Sequence, residues 1–223
     1  MNEEPVGSPG RRTFLRVAGA AAGLGVIGVR PGLAESGPPM VTDSAEWDLS
    51  WLDQLTGQHK QVFDFGKVQG ILHVVGNYLK AAEEVFGLKH PDVNTVVGIA
   101  TSAFPINAND ALWAKYELGK HWEVKDPATG EWAVRNVFAA DPPPEGWPSE
   151  SQVPWLRQRG TIFWQCNNAL NGVSEWFAEM SNQEVPVVRS ELIAGFLPGV
   201  KLVPAHTLLI GLTQERGCTY EKL

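Results

Sequence analysis

Cys166 stands where a thiol can work. It follows the β-branched and aromatic run TIFWQ at 161–165 and precedes Asn167, Asn168 and an amphipathic stretch, so a strand ends and a helix begins at its sulfur. Free backbone N–H groups and the positive end of a helix dipole favour a thiolate there, and they also bind anions. A single cysteine serves equally as a small buried hydrophobe, and the residues alone leave both uses open. His73 lies just after a loop ending at Gly70, on a polar stripe with Asn77, Lys80 and Glu84. It can hydrogen-bond a substrate, act as a base near Cys166, or simply be a solvated side chain. Arg135 and Asn136, in AVRNVF, can clamp an oxyanion if the segment that holds them folds over Cys166; the commoner role of such an arginine is a surface or interface charge. Asn167 and Asn168, beside the sulfur, complete the candidate substrate-binding set.

The second cysteine, Cys218, opens the last strand, which in a parallel sheet is the end opposite Cys166, so no disulfide between them is expected. His59, His90, His121 and His206 are too scattered to give a metal-ligand spacing, and neither a metal nor a cofactor is expected. No Gly-rich phosphate loop, G-x-S-x-G elbow or paired-carboxylate motif is present.

These side chains need elements to hold them. QVFDF at 61–65 reads as a strand, and 71–86 place Ile71, Val74, Val75, Tyr78, Leu79, Ala82, Val85 and Phe86 at helical spacing. VNTVVGIA at 93–100 is apolar enough for a central strand buried on both faces. Asn107 to Asp110 carry helix-cap chemistry, with Gly119 near that helix's end. After TIFWQ, Leu170, Val173, Phe177 and Met180 mark a helix; Glu191–Leu197 reads as a short helix, VKLVP as a strand, Ala205–Arg216 as a helix stopped by Gly217, and CTYEK as the last strand. Strands joined by helices predict an α/β three-layer sandwich, a mainly parallel five-stranded sheet with helices on both faces, whose ligands bind at the strands' carboxyl ends. Residues 35–59 form a polar lead in which Trp47, Trp51 and Leu55 recur every fourth position, as in a short packed helix or turn. Residues 122–155 break the rhythm with DPATG, a turn between two short strands, and the Pro-rich DPPPEGWP. Trp132, Trp147 and Trp155 within this insertion predict a docked lid or an oligomer contact.

The 223 residues are 43% hydrophobic and 19% charged, enough to bury one ordinary core. A net charge of −7 offers polyphosphate no attraction, which argues against nucleic acid as a partner. Two cysteines make neither a disulfide framework nor a four-thiolate zinc site, and nine tryptophans exceed what a core needs, pointing to interfaces or ligand clefts.

Arg11 and Arg12, followed by Phe14, Leu15 and the weakly apolar run VAGAAAGLGVIGV, resemble a twin-arginine export signal, with a small-x-small cleavage pattern at Gly32 to Ala34. Residues 1–34 are therefore expected to be removed. They carry four basic and two acidic residues, so the net charge moves from −7 to −9. The expected destination is the periplasm or the space outside the cell membrane, reached through the twin-arginine machinery.

LRQRGTIFWQCNNAL, FLPGVKLVP and ERGCTYEKL, together with VVGIATSAFP and NDALWAKYELG, resemble the DsrE/DsrF-like family of sulfur-metabolism proteins over residues 60–223. The DPATGEWAVRNVF insertion is similar to that of its twin-arginine-exported members. The resemblance implies a DsrE-like domain, a homo-oligomer and a place in sulfur metabolism. In the sulfur-relay branch a cysteine at this strand-to-helix position carries a persulfide, and by the motif QCNNAL that residue is Cys166. Two functions of different class follow: a thiol or persulfide sulfur carrier that handles small sulfur species, or a non-catalytic oligomeric protein binding a small ligand in the same cleft.

Overall fold

A computed structural model describes residues 47–68 and 72–223. The expected export segment and cleavage point, most of the polar lead, and Gly70 and Ile71 lie outside the described residues. The elements are β1 (His59–Phe65), α1 (Leu72–Phe86), β2 (Val93–Ile99), α2 (Asp110–Lys115), α3 (Leu118–His121), α4 (Val153–Gln158), β3 (Ile162–Cys166), α5 (Asn167–Ser181), α6 (Val185–Ala194), β4 (Lys201–Val203), α7 (His206–Glu215) and β5 (Thr219–Lys222). The strands form one sheet in the order β4-β3-β2-β1-β5, and every pairing is parallel.

That order dictates the layers. From β1 to β4 the chain steps outward one strand at a time, so right-handed crossovers keep α1 to α6 on one face. The return from β4 to β5 runs the other way and carries α7 across the opposite face. The fold is an α/β sandwich with helices on both faces. Partners across a parallel ladder share a face, and the side chains sort accordingly. Phe63, Phe65, Val97, Ile99 and Phe163 pack towards α1 and α5, whereas Val62, Val96, Trp164 and Val203 pack with Leu209 of α7 and Trp51. Trp51 belongs to a 3-10 helix, Ser50–Gln54, and is fully buried, so the lead anchors on the α7 face.

Three local readings are revised. The helix expected over 107–119 is two: Asn109 caps α2 through the Leu112 N–H, but Glu117 adopts φ 46° and restarts the chain as α3. Gly119 does not end a helix. A Cβ there would lie 2.2 Å from the Ala133 carbonyl oxygen, so the glycine admits the backbone of the insertion. Finally, α6 begins at Val185, with Pro186 in the first turn where a missing N–H costs nothing.

The insertion is part of the core. Ala133, Val137, Phe138 and Val153 are buried in the same cluster as Val75 of α1 and Phe177 of α5. Only a single antiparallel bridge, Lys125 to Trp132, stands among the described residues where two short strands were expected around DPATG.

Candidate functional site

Cys166 is the last residue of β3 and also the N-cap of α5, with φ −69° and ψ 125°. Its side chain points to the α7 face, in register with Val203 of β4, and the residue is 5% exposed. Beyond Val203 the chain turns straight into α7, whose first residue, His206, donates its backbone N–H to Cys166 Sγ at 3.2 Å. The N-cap of α7 is Ala205, which has no side-chain acceptor, so the sulfur takes the place of a capping oxygen. The starts of two helices thus meet at one sulfur.

The His206 ring is held on both sides. Nε2 lies 2.8 Å from Asp64 Oδ1, and Nδ1 accepts the indole N–H of Trp164 at 3.1 Å. An indole nitrogen can only donate, so Nδ1 carries the lone pair and the ring proton sits on Nε2, donated to Asp64. The second Asp64 oxygen accepts the Tyr220 hydroxyl at 2.8 Å. That bond, followed by burial and the charge of Asp64, raises the Tyr220 pKa and keeps the phenol a donor. Both ring nitrogens being engaged, the imidazole is not a base for Cys166. What acts on the sulfur is the backbone N–H and the ends of α5 and α7.

The other sequence-derived candidates fall elsewhere. His73 is exposed in the first turn of α1 and has no hydrogen-bond partner among the described residues. Asn167 accepts Arg189 Nη2 at 2.6 Å, which ties α5 to α6, and Asn168 is exposed beside it. Arg135 makes a two-point contact with Asp126, through Nε at 2.6 Å and Nη2 at 3.1 Å. This hydrogen bond holds the Asp126 carboxyl below the usual carboxylate range. Asn136 is a buried staple: Nδ2 donates to the carbonyls of Pro105, Ile106 and Ala108, and Oδ1 accepts the Phe138 N–H. Arg135 braces the insertion internally and Asn136 ties it to the segment ahead of α2, in the layer opposite the Cys166 side chain. Cys218 is free, as is Cys166, and burial pushes its thiol up to about 11. It precedes β5 at the amino end of the sheet, six rows from Cys166, or roughly 20 Å at strand rise.

Among the described residues no group of three or more His, Cys, Asp or Glu is arranged to hold a metal ion, and no helix is long and apolar enough to cross a membrane. The sequence reading missed Asp64, Trp164 and His206 as a unit. Two signals were present: a carboxylate inside the strand QVFDF, and a histidine at the strand-to-helix junction after VKLVP, the counterpart of Cys166 after TIFWQ.

No family model matches the chain, and no curated protein matches it. Among solved structures, a protein of unknown function from Methanobacterium thermoautotrophicum shares 14% identity, with 74% of this chain and 99% of that chain covered and a TM-score of 0.38.

Proposed function

We propose that this protein is an exported carrier of sulfane sulfur, similar in role to the DsrE/DsrF-like sulfur-relay proteins that its sequence resembles, with Cys166 as the loaded residue. The observation that carries this reading is the His206 N–H directed at Cys166 Sγ, at the start of two helices. The backbone N–H and the two helix starts set a hydrogen-bond donor and positive dipole ends around the sulfur.

Loading is an exchange on sulfur. The Cys166 thiolate attacks the terminal sulfur of a hydropersulfide, R–S–SH, and its electron pair forms the new S–S bond. The donor's S–S bond breaks, R–S⁻ leaves with that electron pair, and Cys166–S–SH remains with the terminal proton. The cysteine is oxidised to the persulfide as the donor is reduced to its thiolate. With Cys166 only 5% exposed, small species such as polysulfide or a small hydropersulfide suit the site better than a protein-bound persulfide. The Arg11 and Arg12 segment supports delivery through the twin-arginine route to the periplasm.

Mass spectrometry of the mature protein after incubation with polysulfide tests the reading. The expected result is one added sulfur atom on Cys166 and none in Cys166→Ser. An inert Cys166, with a small ligand still bound in Cys166→Ser, replaces the carrier with a binding protein.

A further inference from the structure

Sulfur exchange at Cys166 leaves the clamp of Asp64, His206 and Trp164 without a role. We propose that His206 is a positioning residue for Cys166. Its ring, locked as the Nε2–H tautomer between Asp64 and Trp164, fixes the first turn of α7 so that the His206 backbone N–H stays on the sulfur. The inference rests on Cys166 being the working thiol.

Asp64, Gly98 and Trp164 form one row across β1, β2 and β3 and face α7 together. Two strand spacings separate the outer members, roughly 9.5 Å, and the imidazole spans that gap above Gly98. A Cβ on Gly98 would lie 2.4 Å from Trp164 Cζ2 and 3.0 Å from His206 Cε1. Glycine weakens a central strand, and its place in VVGIA is explained by the room the pair of rings requires. The carboxylate is fixed in turn, since Tyr220 holds its second oxygen. At the other end, Ala205 supplies no cap, so the start of α7 is defined by the ring clamp and by the N–H given to Cys166.

The titratable groups nearest the ring are Asp64 on β1, Tyr220 and Lys222 on β5, Cys166 on β3 and Lys201 on β4; His59 and Lys60 lie at the amino end of β1, and Glu221 shares the row of Phe63, which packs on the other layer. Lys201 is turned towards Asp48, 3.8 Å away, and Lys222 is exposed. Asp64 is thus the only carboxylate that meets the ring among the described residues.

The test uses the mature protein in a Cys218→Ser background, where ultraviolet thiolate absorbance reports Cys166 alone. At neutral pH, His206→Ala should lower that absorbance about tenfold or more, the worth of one hydrogen bond to a charged group. His206→Gln should restore most of it, because an amide offers an oxygen to Trp164 and an N–H to Asp64. Nitrogen NMR of the parent, assigned by the signal missing in His206→Gln, should show a protonated Nε2 and an unprotonated Nδ1. Unchanged thiolate absorbance in a folded His206→Ala, or a ring protonated at Nδ1 in the parent, overturns the inference; the NMR measurement decides it even where His206→Ala does not fold. A parent that meets both expectations but takes up no sulfur leaves the positioning role standing and counts against the carrier alone.

Discussion

The backbone nitrogen of His206 and the sulfur of Cys166 lie 3.2 Å apart although forty positions separate them in the chain. The contact exists because β3 and β4 are neighbours with Cys166 beside Val203, so two consecutive strand-to-helix junctions open at the same point. A helix that lacks a polar cap and a cysteine that lacks a polar partner satisfy each other there.

The two cysteines should differ sharply towards a small alkylating agent. With its thiol pushed up to about 11, Cys218 is thiolate to only about one part in ten thousand at pH 7; both cysteines are buried to the same degree, so the thiolate fraction and not access separates them. Iodoacetamide at neutral pH should label Cys166 first, and Cys218 only after unfolding or strong alkali. Equal labelling rates in the folded protein, read by peptide mapping, would remove the distinction between a working and a packed cysteine.

Gly98→Ala should disturb the site without touching Cys166. The added methyl overlaps the Trp164 ring, and overpacking of this kind costs about 1–3 kcal/mol. Urea denaturation should show that loss, together with a weaker Cys166 thiolate signal. Full stability in Gly98→Ala would mean that the rings sit elsewhere.

Asn136→Ala should loosen the insertion and leave sulfur uptake intact. It strips the donor from three carbonyls in the segment ahead of α2, a loss of about 2–3 kcal/mol. Limited proteolysis should then cut within 122–155. A large fall in sulfur uptake with the fold preserved would restore the idea of a clamp over Cys166.

Arg135→Met carries a pH signature. Arg135 depresses the Asp126 carboxyl in the folded state, so its contribution is complete above the ordinary aspartate value and is lost as pH falls through the lower folded value. Arg135 is 40% exposed at its side chain, and the variant should lose roughly 0.5–1 kcal/mol at neutral pH. The gap to the parent, followed by urea midpoints, should close in acid; a gap that widens there contradicts the assignment.

Replacement of Arg11 and Arg12 by Lys should leave uncleaved precursor in the cytoplasm, detected by immunoblot of cell fractions. The parent should also be a homo-oligomer, since Met180, Val185 and Val187 expose 52%, 38% and 58% of their surface around the turn between α5 and α6. Normal processing of the lysine variant refutes the route, and a monomer mass by light scattering at micromolar concentration refutes the assembly.

Period and punctuation alone determine most of this architecture. QVFDF, VNTVVGIA and TIFWQ become β1, β2 and β3, and the helical spacing after each strand sets a parallel sheet, because a helix between strands leaves no other short connection. The place of Cys166 at a carboxyl end is legible for the same reason: it depends on neighbours in sequence. Its partner is not. Asp64, Gly98, Trp164 and His206 are far apart in the chain, and they meet only because strand order and register put three of them in one row and α7 over that row. Arg135 and Asn136 show the converse, since residue type suggested a clamp on a ligand while the folded chain had already used their hydrogen bonds on itself. Local pattern determines elements because backbone preference and burial act over a few residues; the site is decided by tertiary structure, because each donor goes to whichever acceptor the packed layers bring within 3 Å.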